Sequence, residues 1–276
     1  LRVKCGQLGG LTPTARQVMP DDLRIGIYMF STEGIGYASM KTNVKLISKS
    51  TIADGTMEFR FSKPEGFDFR PGQWTDFRLI DPPETDEEGN VRGFSLVQAR
   101  FEPDLVVATR MRDTAYKRVL KDLPIGTEVA LDGPGGDFTL HKTETTPAVF
   151  IIGGIGVTPV RSMIAQATHD KTAHRITLLH ASSTPSQLPY KSDLEQLSQT
   201  NPNFTYVAVA TDSAPADWTG DRGRINAQMI KKYVPDLSQP IYYLSGPKGM
   251  VHAMRQLLVE LKVNEDNIRT EEFGGY

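Results

Sequence analysis

The sequence has little cysteine, no long apolar run and no dominant charge, and each shortage removes a class of function. Cys5 is its single cysteine among 276 residues. That excludes a disulfide framework, a four-cysteine zinc site or a cysteine-ligated iron–sulfur cluster within this sequence, and no metal site is expected. No apolar run reaches the roughly 18 residues of a spanning helix; the longest candidate, Ile25 to Phe30, is short and broken by glycine. Lys and Arg number 31 against 33 Asp and Glu, a formal net charge of -2. No bulk positive charge is therefore on hand for nucleic acid. What remains is an ordinary globular composition, 39% hydrophobic and 23% charged, expected of a soluble cytoplasmic protein with no membrane span and enough length for two domains.

The most informative stretch is Ala148 to Pro159. Five apolar residues, Ala148 to Ile152, run into Gly153-Gly154-Ile155-Gly156-Val157-Thr158-Pro159, and VRSMIAQAT then repeats apolar residues at helical spacing. This predicts a buried strand, a tight glycine turn and a helix. Free backbone N–H groups and the positive end of a helix dipole converge at such a junction, and glycines let a phosphate approach the main chain. The expected occupant is a pyrophosphate. Pro159, in the first helical turn, costs the helix no hydrogen bond. The spacing is not G-x-G-x-x-G, and a plain packing turn remains the competing account.

Residues 1–39 show no sustained period and carry scattered Gly, Pro and Ser. They are expected to be a disordered or non-native extension ahead of a natural start at Met40, the other reading being a partner-binding or cofactor-covering arm. The segments NVKLISKSTI, TMEFRFSKP, QWTDFRL, GFSLVQAR, DLVVATRMR and EVALDGP, with an acidic loop at 81–90 and one short helix, TAYKRVLKDL, predict a six-stranded antiparallel barrel over 40–143. From 144 to 276 strands and helices alternate: AVFII, ITLLHAS, FTYVAVA and IYYLSGP are each followed by a helical segment. That predicts a parallel sheet covered on both faces, with its ligand beyond the carboxyl ends of the strands, where Gly153 and Ser245 lie.

Four separated motifs occur in a fixed order: Arg92-Gly93-Phe94-Ser95; Thr114-Ala115-Tyr116-Lys117 just after Arg110-Met111-Arg112; Gly153 to Pro159; and Ser245-Gly246-Pro247-Lys248-Gly249-Met250. Together they make residues 42–276 resemble the ferredoxin–NADP reductase family, flavoproteins that join an FAD-binding barrel to a nicotinamide-nucleotide-binding α/β domain. The resemblance implies that Arg92 pairs with a flavin phosphate, Phe94 lies on the isoalloxazine ring and Ser95 offers its hydroxyl to flavin N5. Arg110, Thr114, Ala115 and Tyr116 would receive the FAD pyrophosphate. Gly153, Gly154, Gly156, Thr158 and Pro159 would take the pyrophosphate of the nicotinamide cofactor, with Gly246, Pro247 and Met250 nearby. Ser245 would lie beside the nicotinamide, where the family commonly has cysteine. At the C-terminus, Glu271 or Glu272 would orient or relay protons and Phe273 would cover the ring. Taken singly, each motif also has a plain account: a packed strand, an N-cap, a Gly-Pro turn, a solvated acidic tail.

The function so implied is an FAD-dependent NAD(P)H oxidoreductase that passes electrons to a separate ferredoxin, flavodoxin or oxygenase component. A free flavin or quinone reductase, or an FAD-binding electron-transfer subunit of a larger complex, is the alternative. Ser182 lies in the loop after the second nucleotide-domain strand, which has no arginine and only Lys191, and Asp212 follows the third strand. This inclines the donor towards NADH over NADPH, with Arg222 and Arg224 as the residues able to reverse it. Lys117, Arg118 and Lys121 offer a basic surface for an acceptor.

Overall fold

The computed structural model describes residues 39–274, so the expectations for residues 1–38, for Gly275 and for Tyr276 lie outside them. The first half contains β1 (Met40–Ala53), β2 (Thr56–Ser62), β3 (Trp74–Leu79), β4 (Val91–Ser95), β5 (Asp104–Arg110), α1 (Ala115–Asp122) and β6 (Glu128–Gly135). The six strands pair antiparallel in the order β4-β3-β6-β1-β2-β5. The sheet curls like a barrel without closing its ladder. Just beyond β4, the Val97 N–H donates to the Val106 carbonyl at 2.9 Å. Period-two alternation sends Phe59, Phe61, Phe77 and Leu79 inward, and Tyr116, Val119 and Leu120 on one face of α1 cap the same core.

The second half contains β7 (Ala148–Gly153), α2 (Val157–His169), β8 (Ile176–Ser182), α3 (Lys191–Thr200), β9 (Phe204–Ala210), the two-residue β10 (Asp221–Arg222), α4 (Ala227–Tyr233), β11 (Ile241–Pro247), α5 (Lys248–Glu260) and β12 (Ile268–Phe273). All six strands are parallel, ordered β10-β9-β8-β7-β11-β12. Central strands β7 and β8 are buried almost throughout, which is why they read as continuous apolar runs. On one face α2 and α3 pack over Phe150, Ile152 and Leu178; on the other α4 and α5 pack over Ile151, Leu179 and Leu244. The chain steps outward from β7 to β9 and then returns to the other side of β7 as β11. Between β7 and β11 lies the topological switch point, the place where such sheets open a crevice.

One element departs from the sequence reading. Residues 271–273, expected as part of a C-terminal tail over residues 271–276, belong to the sixth strand, which spans residues 268–273 and pairs in parallel with β11 in the register Ser245↔Glu271 and Pro247↔Phe273. Ladder hydrogen bonds, invisible in composition, fix what reads as a solvated end.

Candidate active site at the switch point

The loops flanking the switch point are the glycine turn after β7 and the Ser245–Met250 turn after β11, and they press against each other. Gly154, with φ +50, opens a 3-10 turn over Gly154–Gly156 that leads into α2. A Cβ on Gly156 would stand 2.7 Å from the Ser245 carbonyl oxygen, so this glycine is required by the close approach of the second turn. Ile155 reaches across to Val97, Val106 and Ala108 of the barrel. Thr158 spends its hydroxyl on the Ile155 carbonyl at 3.1 Å, and Pro159 is buried in the first turn of α2.

A cavity of about 520 Å3 opens beside these turns, with Gly153, Gly154, Pro247 and Met250 on its wall. Its far wall carries Ser182, Asp212 and Arg224, and Arg110 enters from the barrel. Ser182 donates its hydroxyl to the Gln187 carbonyl at 3.0 Å. Lys191, the lone lysine of that loop, is turned onto Glu195 and the Trp218 ring. Arg222 is held by the carbonyls of Ala214, Pro215 and Trp218, which leaves Arg224 as the member of that pair on the cavity wall.

Three predicted catalytic side chains converge between the halves. Ser245 is fully buried, and Glu271 sits beside it on the neighbouring strand. Ser245 Oγ and Glu271 Oε2 are both buried without a hydrogen-bond partner. Burial pushes the Glu271 carboxyl up to about 7; the negative charge of Asp137 adds to this, and a hydrogen bond with Ser95 opposes it. Barrel strand β4 and nucleotide-domain strands β11 and β12 thus meet at one point. Phe273 stands on β12 in register with Pro247, and Glu272 is exposed.

Arg92 is engaged from within the chain. Its guanidinium stacks on Tyr116, 5.1 Å from the ring centroid, and pairs with Glu88 at 2.8 Å and with Asp86 at 3.4 Å. The other oxygen of Asp86 accepts from the Ala115 N–H at 3.0 Å, at the start of α1. Thr114 caps that helix, accepting from the Lys117 N–H. A carboxylate therefore occupies the spot where Arg92 and a helix N-terminus converge, so the spot accepts an anion. Of the residues assigned to the flavin phosphates, Arg92 and Ala115 are thus brought together on Asp86, whereas Arg110 lines the cavity beside the glycine turn.

Phe94 and Tyr116 offer no open ring face. Phe94 is 8% exposed and packs 5.9 Å from Phe77 and 6.0 Å from Tyr116, whose hydroxyl is spent on the Phe77 carbonyl. Facing residues of an antiparallel ladder share a side, so the register Trp74↔Ser95 and Thr75↔Phe94 puts Trp74, not Phe94, on the side of Ser95. Trp74 is 37% exposed, and its indole lies over Gly135 and Gly136, where any Cβ would meet the ring. In the sequence Trp74 is simply one residue of the strand QWTDFRL; the glycine pair at 135–136 is the signal that a large ring lies over that strand. The basic surface is also altered. Arg118 is paired with Glu84 and Asp113, and Lys117 turns inward to the Arg110 carbonyl.

Residues 150–256 match the family model of the oxidoreductase NAD-binding domain. Among curated proteins, the reductase component of propane 2-monooxygenase from Rhodococcus jostii (strain RHA1) is 27% identical over 247 residues, covering 87% of this chain and 65% of that protein. One component of the Na(+)-translocating NADH-quinone reductase of Idiomarina loihiensis is 28% identical over 220 residues, covering 74% of this chain and 54% of that protein. The chain thus spans between half and two thirds of the length of these relatives. Among solved structures, the Amycolatopsis cytochrome P450 reductase GcoB aligns with a TM-score of 0.75 at 22% identity, covering 88% of this chain and 73% of that one. A ferredoxin NADP+ reductase from Neisseria gonorrhoeae with bound FAD and NADP aligns at 0.70 and 20%, covering 84% and 98%. Within a chain that carries the fold of these reductases, residues 150–256 are thus similar to the oxidoreductase NAD-binding domain.

Proposed function

We propose that the chain is an FAD-dependent NAD(P)H oxidoreductase that takes a hydride from a nicotinamide nucleotide and hands electrons to a separate acceptor, a ferredoxin, a flavodoxin or an oxygenase component. The observation that carries this is the pair of partnerless buried atoms, Ser245 Oγ and Glu271 Oε2, set against Ser95 at the switch point. A buried polar atom left unpaired costs about 1–3 kcal/mol, and two neighbours in that state describe a site completed by a ligand's polar edge. When bound, the flavin supplies hydride acceptance and release of electrons one at a time.

The chain's own residues do the rest. Arg92 and the Ala115 N–H hold the flavin's phosphates, Trp74 supports its ring and Ser95 orients its polar edge. The glycine turn and Arg110 hold the pyrophosphate of the nicotinamide nucleotide, and Ser245 and Phe273 steer its reactive end. Glu271, its carboxyl raised to about 7 by burial, keeps a substantial protonated fraction at neutral pH and in that form donates a hydrogen bond or a proton. NADH is the favoured donor: Asp212 lines the cavity while Lys191 and Arg222 are turned to other partners, so that of these basic residues Arg224 alone stands on the wall against that reading. No helix among the described residues is long and apolar enough to cross a membrane.

An anaerobic absorbance titration with NADH and, separately, NADPH tests this reading. Bleaching of a yellow chromophore near one equivalent is the expected outcome. A protein that cannot be loaded with FAD, or loaded protein that neither donor bleaches, refutes it.

A further inference from the structure

His180 interrupts the apolar run of β8, ITLLHAS, yet is fully buried. Its Nε2 lies 2.9 Å from the Gly154 carbonyl oxygen, and its Nδ1 lies 3.3 Å from the Tyr206 hydroxyl. A carbonyl cannot donate, so Nε2 carries the proton and Nδ1 accepts from Tyr206. Burial pushes the imidazole's pKa down to about 4, so the ring is a neutral, oriented donor at neutral pH. Glu195 is the charged residue facing this group from α3, through Tyr206.

What the hydrogen bond fixes follows from peptide geometry. The Gly154 carbonyl belongs to the same planar unit as the Ile155 N–H, and in a trans peptide the two point in opposite directions. His180 stands on the α2 face of the sheet, in register with Ile152, whereas the cavity runs along Ala181, Met250 and Met254 on the α5 face. Drawing the Gly154 carbonyl towards His180 therefore turns the Ile155 N–H away from the α2 face. The Val157 N–H also donates to the Gly154 carbonyl. With His180 both lone pairs of that oxygen are used, and the peptide has no freedom to flip.

We infer that His180 is a positioning residue for the dinucleotide: through the Gly154 carbonyl it locks the glycine turn in the orientation that presents backbone N–H groups to the cofactor's pyrophosphate. This rests on the functional reading above. Neither ring nitrogen touches the ligand; the residue acts through one peptide plane.

The test compares His180→Leu, which keeps the bulk and loses the donor, with His180→Gln, whose amide restores one. Binding of ADP-ribose, which carries the pyrophosphate, and of adenosine, which lacks it, is measured by calorimetry on the FAD-loaded protein. For His180→Leu, ADP-ribose affinity falls about tenfold, adenosine affinity changes less than twofold and bound flavin is unchanged; KM for the donor rises while kcat at saturation is kept. His180→Gln recovers most of the loss. Unaltered ADP-ribose affinity in His180→Leu, or an equal loss for adenosine, overturns the inference. Should His180→Leu fail to fold, the histidine 15N spectrum of the wild-type protein decides: an Nε2–H tautomer at neutral pH supports the inference and an Nδ1–H tautomer overturns it. Wild-type protein that binds no ADP-ribose refutes the functional reading instead, so the two failures are distinguishable.

Discussion

Glu271 makes stability fall as pH rises, the reverse of a salt-bridged carboxylate. Its carboxyl is raised from 4.5 to about 7, first by burial and then by the charge of Asp137. Between those values the folded protein keeps a proton that the unfolded chain has released. The native state binds more protons there, so stability declines with pH through that window and levels off above it. At 1.36 kcal/mol per tenfold change in proton affinity the full effect is about 3 kcal/mol, of which about 2.5 kcal/mol falls between pH 5 and pH 8. Glu271→Gln keeps the shape and one hydrogen-bonding oxygen while removing the titration. Urea unfolding of the flavin-free protein at both pH values measures it: the variant gains on the wild type by about 2.5 kcal/mol on going from pH 5 to pH 8. An equal gap at the two pH values would refute the reasoning, and with it the claim that burial raises this carboxyl to about 7.

Asp86→Asn weakens the internal occupant of the Arg92 seat, so flavin-free protein should bind FAD about fivefold more tightly, on the order of 1 kcal/mol; Arg92→Ala should do the opposite. Fluorescence quenching of FAD checks both, and no gain from Asp86→Asn would remove Asp86 from the seat. Phe273→Ser should change donor affinity or the NADH-to-NADPH ratio with flavin retained, read by steady-state kinetics; unaltered kinetics would show that this ring is not docked at the donor. Asp212→Ala should narrow the NADH preference by about tenfold in kcat/KM, and an unchanged ratio would move discrimination to Arg224.

Much of this was legible because period and burial agree. The segments ITLLHAS, FTYVAVA and IYYLSGP match β8, β9 and β11 to the residue, since a strand buried on both faces leaves a predominantly apolar signature. The six barrel strands were legible by alternation, although ladder closure is a property of pairing that alternation does not encode. Besides Trp74, three things escaped. The end of the chain reads as an acidic tail because β12 is an edge strand, with residues such as Glu272 exposed. The acidic loop reads as solvated, yet Asp86 reaches back to a guanidinium and a helix N-terminus far along the sequence. The basic stripe on α1 is offset by Glu84, on the same loop, and by Asp113. In each case the missing information is a long-range polar contact, and a polar side chain shows its partner in the sequence far less clearly than an apolar one shows its face.

How the two halves keep one active site in register follows from polar contacts across their seam. Tyr190 donates to Glu58 of β2 at 2.8 Å, Ser162 donates to the Gln98 carbonyl at 2.5 Å, and Arg161 joins Glu102 of the barrel to Asp193 of α3. On the other flank, β12 works as a ruler. Residues 269, 271 and 273 share a side by strand periodicity. Arg269 binds the Thr139 carbonyl of the linker at 2.9 Å, and Glu271 meets Ser95. With two points of the strand tied to the barrel side, Phe273 is carried one step further towards the Pro247 turn. Buried donors and acceptors on both flanks would lose their partners if the halves parted, each at a cost of about 1–3 kcal/mol. The two halves are therefore tied by buried polar contacts on both flanks of the crevice, and strand register places Glu271 and Phe273 relative to the barrel.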